Sequence, residues 1–201
     1  MSTPVLEYAP PIVEQASNGA IGPWRSSDLE FMPENGTRYE IIYGDMLMSK
    51  SPHWHHQAAC GNIYLELKLW SRQHGQGHVS VTPGLLFSDA NDVIPDVAWI
   101  SQERFALLLD EAGHLTGAPE LVVEVISPGF RQEQRDREVK RKLYQTQGVR
   151  EYWIADWRLH QVEVYQREQG ALRLVATLLA EDTLTSPLLP GFQCPVSRLF
   201  E

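Results

Sequence analysis

The chain has 201 residues, 43% of them hydrophobic, and its 17 basic against 26 acidic residues leave a net charge of −9. That length and composition suit one main domain with a core of its own. The acidic balance argues against strong non-specific nucleic-acid binding, which draws on a basic surface to displace counterions from phosphates. No apolar run approaches the roughly 18 residues needed to span a bilayer, and residues 1–25 lack the basic start and unbroken apolar stretch of a secretory signal. A cytoplasmic protein without membrane contacts is therefore expected. Cys60 and Cys194 form no CxxC pair, which indicates structural thiols rather than a zinc knuckle or a disulfide scaffold.

In chain order, residues 1–25 carry Pro4, Pro10, Pro11 and Pro23 without periodicity and read as an extended arm ahead of a domain over 26–201. Ser27 can cap a short helix over about 28–33, and RYEIIY then GDMLMS reads as a hairpin turning at Gly44 and Asp45. From His55 to about Arg72, Ala58, Ala59, Ile63, Leu67 and Trp70 fit a long packing helix that HGQG ends. HVSVTPGLLFS and VIPDVAWIS read as strands separated by turn residues Asp89 to Asp92. ELVVEVIS is a further strand. A helix from about Gln132 to Gln147 stops at Gly148, and EYWIAD, HQVEVYQR and ALRLVATL follow as strands. The tail SPLLPGFQCPVSRLF can dock apolar residues on the sheet. This order points to an α+β fold with a central mixed sheet flanked by helices.

One strand is anomalous. Glu124 sits among Leu121, Val122, Val123, Val125 and Ile126, where an unpaired carboxylate is costly. Asp96, after Pro95, opens the apolar stretch VAWI in the same way. If the two strands are neighbours, the carboxylates converge and repel unless a cation lies between them. Magnesium-type ions take such oxygen ligands and suit phosphodiester hydrolysis. On the helix near 132–147, Val139 and Leu143 define an apolar edge, and at about 100° per residue Lys140 projects toward the sheet, with Asp136 and Tyr144 on its stripe.

Taken together, RYEIIYGDMLMSKSPHWHHQAACGNI, IPDVAWIS, PELVVEVISPGF, RDREVKRKLYQTQGVREYWIAD and SPLLPGF resemble the Uma family of predicted endonucleases, within the PD-(D/E)xK or restriction-endonuclease-like superfamily, over roughly residues 27–200. The resemblance implies a restriction-endonuclease-like fold, a Mg2+ or Mn2+ site and hydrolysis of nucleic acid, DNA more readily than RNA. It matches Asp96 and Glu124 to the metal-binding acids. The superfamily's lysine would fall two residues after the acid, where this chain has Ile126; the family instead supplies it from the following helix, as Asp136, Lys140 and Tyr144 in a D-x-x-x-K-x-x-x-Y pattern. Glu40 matches a further acid, and His56 and Gln57 match the family's HQ.

Each assignment has an ordinary competitor: a strand-start cap for Asp96, a helix lysine paired with Asp136 for Lys140, a solvent-facing acid for Glu40. HWHH over 53–56 reads as exposed histidines at a helix start rather than a zinc site, and EYWIAD as core strand rather than a base-stacking platform. The leading reading is a metal-dependent nuclease using Asp96, Glu124, Lys140 and Glu40, with the Val125 carbonyl as an extra ligand. Its rival is a catalytically silent module that keeps the fold for binding or assembly. Enzymes of the restriction type often cut as symmetric pairs, so a homodimer is expected.

Overall fold

The computed structural model describes residues 22–33, 36–49, 51–127, 129 and 133–201, so the arm expected over 1–25 lies almost wholly outside the described residues. After a 3-10 turn (Ser26–Phe31) come β1 (Arg38–Ile42), β2 (Asp45–Ser49), α1 (Trp54–His74), β3 (His78–Val81), β4 (Leu85–Ser88), β5 (Asn91–Val93), β6 (Val97–Ile100), α2 (Gln102–Leu108) and β7 (Leu121–Val125). A π-helical segment (Arg135–Lys140) then runs into α3 (Arg141–Gln147), followed by β8 (Glu151–Asp156), β9 (Gln161–Glu168), β10 (Ala171–Leu178), β11 (Thr183–Thr185), β12 (Gln193–Pro195) and a last 3-10 turn (Val196–Phe200). No helix among the described residues is long and apolar enough to cross a membrane.

The central sheet has six strands in the order β10-β9-β8-β7-β6-β3, and a second sheet runs β2-β1-β5-β4. Within the central sheet only β7 and β8 pair in parallel. A parallel neighbour needs a crossover, and here the crossover carries the π segment and α3, which therefore return over the sheet beside β7. Successive β7 side chains alternate between faces. Leu121, Val123 and Val125 join a core with Ala59, Ile63 and Leu67 of α1 and the tail residues Leu189, Phe192 and Val196. Val122 and Ile126 join the opposite core with Leu143, Tyr144, Tyr152 and Ile154. Glu124 falls on the second face by the same alternation. All six residues of EYWIAD are buried, as a core strand requires.

Helix α1 ends at Gly75, whose φ of 63° is the left-handed conformation that a terminating glycine supplies at no steric cost. Three departures from the sequence reading concern short elements. HVSVTPGLLFS is two strands in different sheets, because Thr82 takes a φ of 47° and Pro83 cannot donate to a ladder. Asn91 and Asp92 belong to β5 rather than to a turn, paired with Ile42 and Ile41 of β1. Helix α2 has no fully buried residue and so no apolar stripe to announce it; Ser101 caps it by accepting from Arg104 N, and Glu120 accepts from both the N–H and the hydroxyl of Ser101.

Glu151, 1% exposed, begins β8 between two neutral donors, Trp153 Nε1 at 2.6 Å and Ser186 Oγ at 2.9 Å. Burial pushes its carboxyl up to about 7 despite both hydrogen bonds. The folded chain thus holds this proton more tightly than the unfolded one, so the contribution is full below an ordinary value of 4.5 and is lost as pH rises toward about 7. Glu151→Gln is expected to remove about 2–3 kcal/mol of that pH dependence, read as the difference between wild-type and variant urea midpoints at pH 4.5 and 8.

Candidate active site

β6 and β7 are antiparallel neighbours with Val97 opposite Val123, so Asp96 and Glu124 are the next residues along the two strands. Both are buried, at 4% and 2% exposure. Asp96 is fixed from several sides: its Oδ2 accepts Val125 N at 2.8 Å and faces His56 Nε2 at 3.4 Å, its Oδ1 lies 3.2 Å from Arg38 NH1, and its backbone carbonyl accepts Thr82 N at 2.9 Å. Glu124 is held on one oxygen. Its Oε1 accepts Lys140 Nζ at 3.0 Å and the Tyr144 hydroxyl at 2.7 Å.

Lys140 completes a three-element junction. Its Nζ also lies 2.9 Å from Glu40 Oε1 on β1, and that oxygen accepts Ile94 N. Asp136, Lys140 and Tyr144 are all buried on one side of the helix, as the D-x-x-x-K-x-x-x-Y stripe implies. Val139 is not on an apolar edge, however: it lies on the π turn and is 38% exposed. Tyr152 donates to the Asp136 carbonyl at 2.9 Å, and Arg135 ties the start of this turn to Asp136 and to Ser49 of β2.

These charges share one enclosure. A cavity of about 120 Å³ is lined by Arg38, Glu40, His56, Asp96, Glu124, Val125, Arg135 and Lys140 among others. Burial alone would raise the Asp96 carboxyl, but the hydrogen bond and charge of His56, with Lys140 and the Val125 N–H, bring it down to about 2. Burial opposes a charge on His56 too, yet Asp96 outweighs it and the imidazole titrates above its usual 6.5. Glu124 and Lys140 both move upward: burial and the charges of Asp96, Asp136 and Glu40 overcome the ammonium's pull on Glu124, while Glu124, Glu40 and Asp136 overcome burial at Lys140. The two directions have one cause, several carboxylates around one ammonium. Lys140 keeps its proton, and any proton the cluster gains goes to a carboxylate.

His56 corrects the picture of an exposed histidine cluster. His53 and His55 are exposed, His53 stacked on Trp157 at a ring separation of 4.8 Å and His55 tilted against it at 5.4 Å, but His56 is 5% exposed and turns inward to Asp96. With Cys60, whose Sγ is 3.6 Å from His56 Nδ1, it offers Asp96 a softer metal-capable grouping, one ligand atom from each within 4.8 Å of the others. Burial and the nearby Asp96 and Glu124 charges raise the Cys60 thiol well above its ordinary range, which disfavours the thiolate such a site needs.

A family model, Uma2, described as "Putative restriction endonuclease", matches residues 26–197. The chain belongs to the Uma2 family. Its fold is similar to that in a crystal structure described as a putative nuclease belonging to DUF820 from Anabaena variabilis, with a TM-score of 0.71 at 18% sequence identity, covering 89% of this chain and 98% of that one. No curated protein matches the chain. Membership places this Uma2 protein among nucleases of restriction-endonuclease-like fold. The position two residues after Glu124 is Ile126, fully buried in the core on the α3 side, and the ammonium beside Glu124 is that of Lys140 on the crossover helix.

Two charged residues of the cavity, Arg38 and Arg135, are not among the candidates drawn from the sequence. Arg38 was detectable, since it stands two residues before Glu40 on one strand and so on the same face. Arg135 had no such signal. The junction itself sets a stability test: Lys140→Met strands Glu40 and Glu124 without their cation and is expected to cost about 3–5 kcal/mol. Adding Glu124→Gln should recover part of that loss in urea denaturation, whereas simple additivity of the two changes would show that the pair is not coupled.

Proposed function

We propose that this Uma2 protein is a divalent-metal-dependent endonuclease that hydrolyses phosphodiester bonds, with DNA as substrate and Asp96, Glu124, Lys140 and Glu40 as its working residues. The observation that carries the reading is the meeting of two strand-borne carboxylates and one helix-borne ammonium at the wall of a single polar cavity. DNA follows from the family's description as restriction endonucleases.

The donor set fits a hard cation such as Mg2+ or Mn2+. Two carboxylates, Asp96 and Glu124, approach from adjacent strands, the Val125 carbonyl offers a backbone oxygen between them, and the cavity has room for several waters. Every hydrogen bond to Glu124 among the described residues ends on Oε1, so Oε2 is the oxygen available to a ligand. Bound there, the cation supplies charge opposite the phosphate and acidifies a coordinated water. Lys140, with its raised pKa, acts as a fixed positive charge beside the reacting phosphate rather than as a base. Glu40 holds that ammonium from the second sheet. His56 orients Asp96 and keeps it ionised. Of the two outer strands of the central sheet, β10 carries an irregularity between Leu174 and Ala176, which works against strand-to-strand pairing, so a dimer would form through another surface.

The test is cleavage of labelled single- and double-stranded DNA and of RNA with Mg2+ or Mn2+, by wild type, Asp96→Asn, Glu124→Gln and Lys140→Ala. Asp96→Asn and Glu124→Gln are expected to lose about 100-fold or more in rate while their circular dichroism stays native, and Lys140→Ala, which also strands two buried carboxylates, is compared per folded molecule. Pure wild type that cleaves none of these substrates with either metal would turn the reading to the silent module.

A further inference from the structure

Asp96 offers its two oxygens to very different partners. Oδ2 is held by a backbone N–H of the central sheet and by His56 on α1, both parts of rigid elements. Oδ1 is met, among the described residues, by Arg38 alone. That contact is loose: NH1 donates to Oδ1 at 3.2 Å and also to the Ile94 carbonyl at 3.3 Å, both longer than the roughly 2.7–2.9 Å of a strong charge-assisted bond. All hydrogen bonds of Arg38 among the described residues leave from NH1, so Nε and NH2, the edge that matches a phosphate bidentately, have no hydrogen-bond partner among those residues.

The charge balance identifies which cation is expendable. Four acids, Glu40, Asp96, Glu124 and Asp136, face Arg38, Arg135 and Lys140 around the cavity, with His56 against Asp96 as a fourth cationic partner. A dication held by the acids adds two positive charges to this set, and a side-chain cation that it displaces must find another anion. Lys140 is 1% exposed and locked between two carboxylates, and Arg135 is 15% exposed with Asp136 and Ser49 as partners. Arg38 is 27% exposed, the most open of the three.

We propose that Arg38 is the exchangeable counter-ion of Asp96 and the clamp for the substrate phosphate: it yields Oδ1 to the divalent cation and turns its free guanidinium edge to the nucleic acid. The inference rests on the metal-dependent reading of the site. It carries a signature that a structural arginine lacks, because removing Arg38 should strengthen metal binding while weakening substrate binding, whereas damage to the fold would weaken both.

The experiment measures Mn2+ binding by electron paramagnetic resonance, and binding of a labelled single-stranded oligodeoxynucleotide in Ca2+ by fluorescence anisotropy, for wild type, Arg38→Gln, Arg38→Lys and Asp96→Asn. Arg38→Gln is expected to bind Mn2+ about tenfold more tightly and the oligonucleotide about tenfold more weakly. Arg38→Lys, which keeps the charge and loses the fork, should bind Mn2+ like wild type and the oligonucleotide less well; it decides the matter if Arg38→Gln does not fold. Wild-type Mn2+ binding that Asp96→Asn abolishes, with no gain in Arg38→Gln or no loss of oligonucleotide in Arg38→Lys, overturns the role of Arg38 and leaves the metal site standing. No Asp96-dependent Mn2+ binding by wild type overturns both.

Discussion

An ammonium buried between two buried carboxylates ties this molecule together. Glu124 comes from the central sheet, Glu40 from the second sheet and Lys140 from the crossover helix, and the three meet within 3.0 Å contacts. Removing such ions from water costs several kcal/mol each, repaid only where geometry is close and the remaining polar atoms find partners. Here the Tyr144 hydroxyl and the Ile94 N–H supply those partners. The same contact therefore sets how the two sheets and the helix sit together and fixes the electrostatics of the cavity.

That arrangement reconciles an acidic chain with membership of a nuclease family. The cations nearest the cavity are engaged with carboxylates of the chain itself. A nuclease built this way gains little from counterion release along a basic surface. On the proposed reading, its hold on a phosphate would depend on a few groups inside one enclosure.

Much of this was legible in the sequence wherever one residue broke a strong local rule. Glu124 interrupts a β-branched run, and the only inexpensive resolution is a partner, which Lys140, one helix later with Asp136 and Tyr144 on its stripe, provides. Long periodic elements such as α1 and β7 to β10 were readable because burial imposes their pattern. The unread parts obey no such pattern: β5 is three residues pinned by β1, α2 buries none of its residues completely, and the break at Thr82 is a backbone conformation rather than a composition. His56 stands among exposed histidines, so composition places it outside while the resemblance places it near the site; in the structure it turns inward to Asp96.

The π-helical segment that ends at Lys140 adds one thing more. Its backbone rings hold one residue more than those of the α-helix that follows, so rewinding it as α would turn everything before Lys140 about the helix axis while the sheet stayed where it is. A chain rewound in this way at constant length would keep the acids of the sheet in place but swing Arg135 and Asp136 away from them.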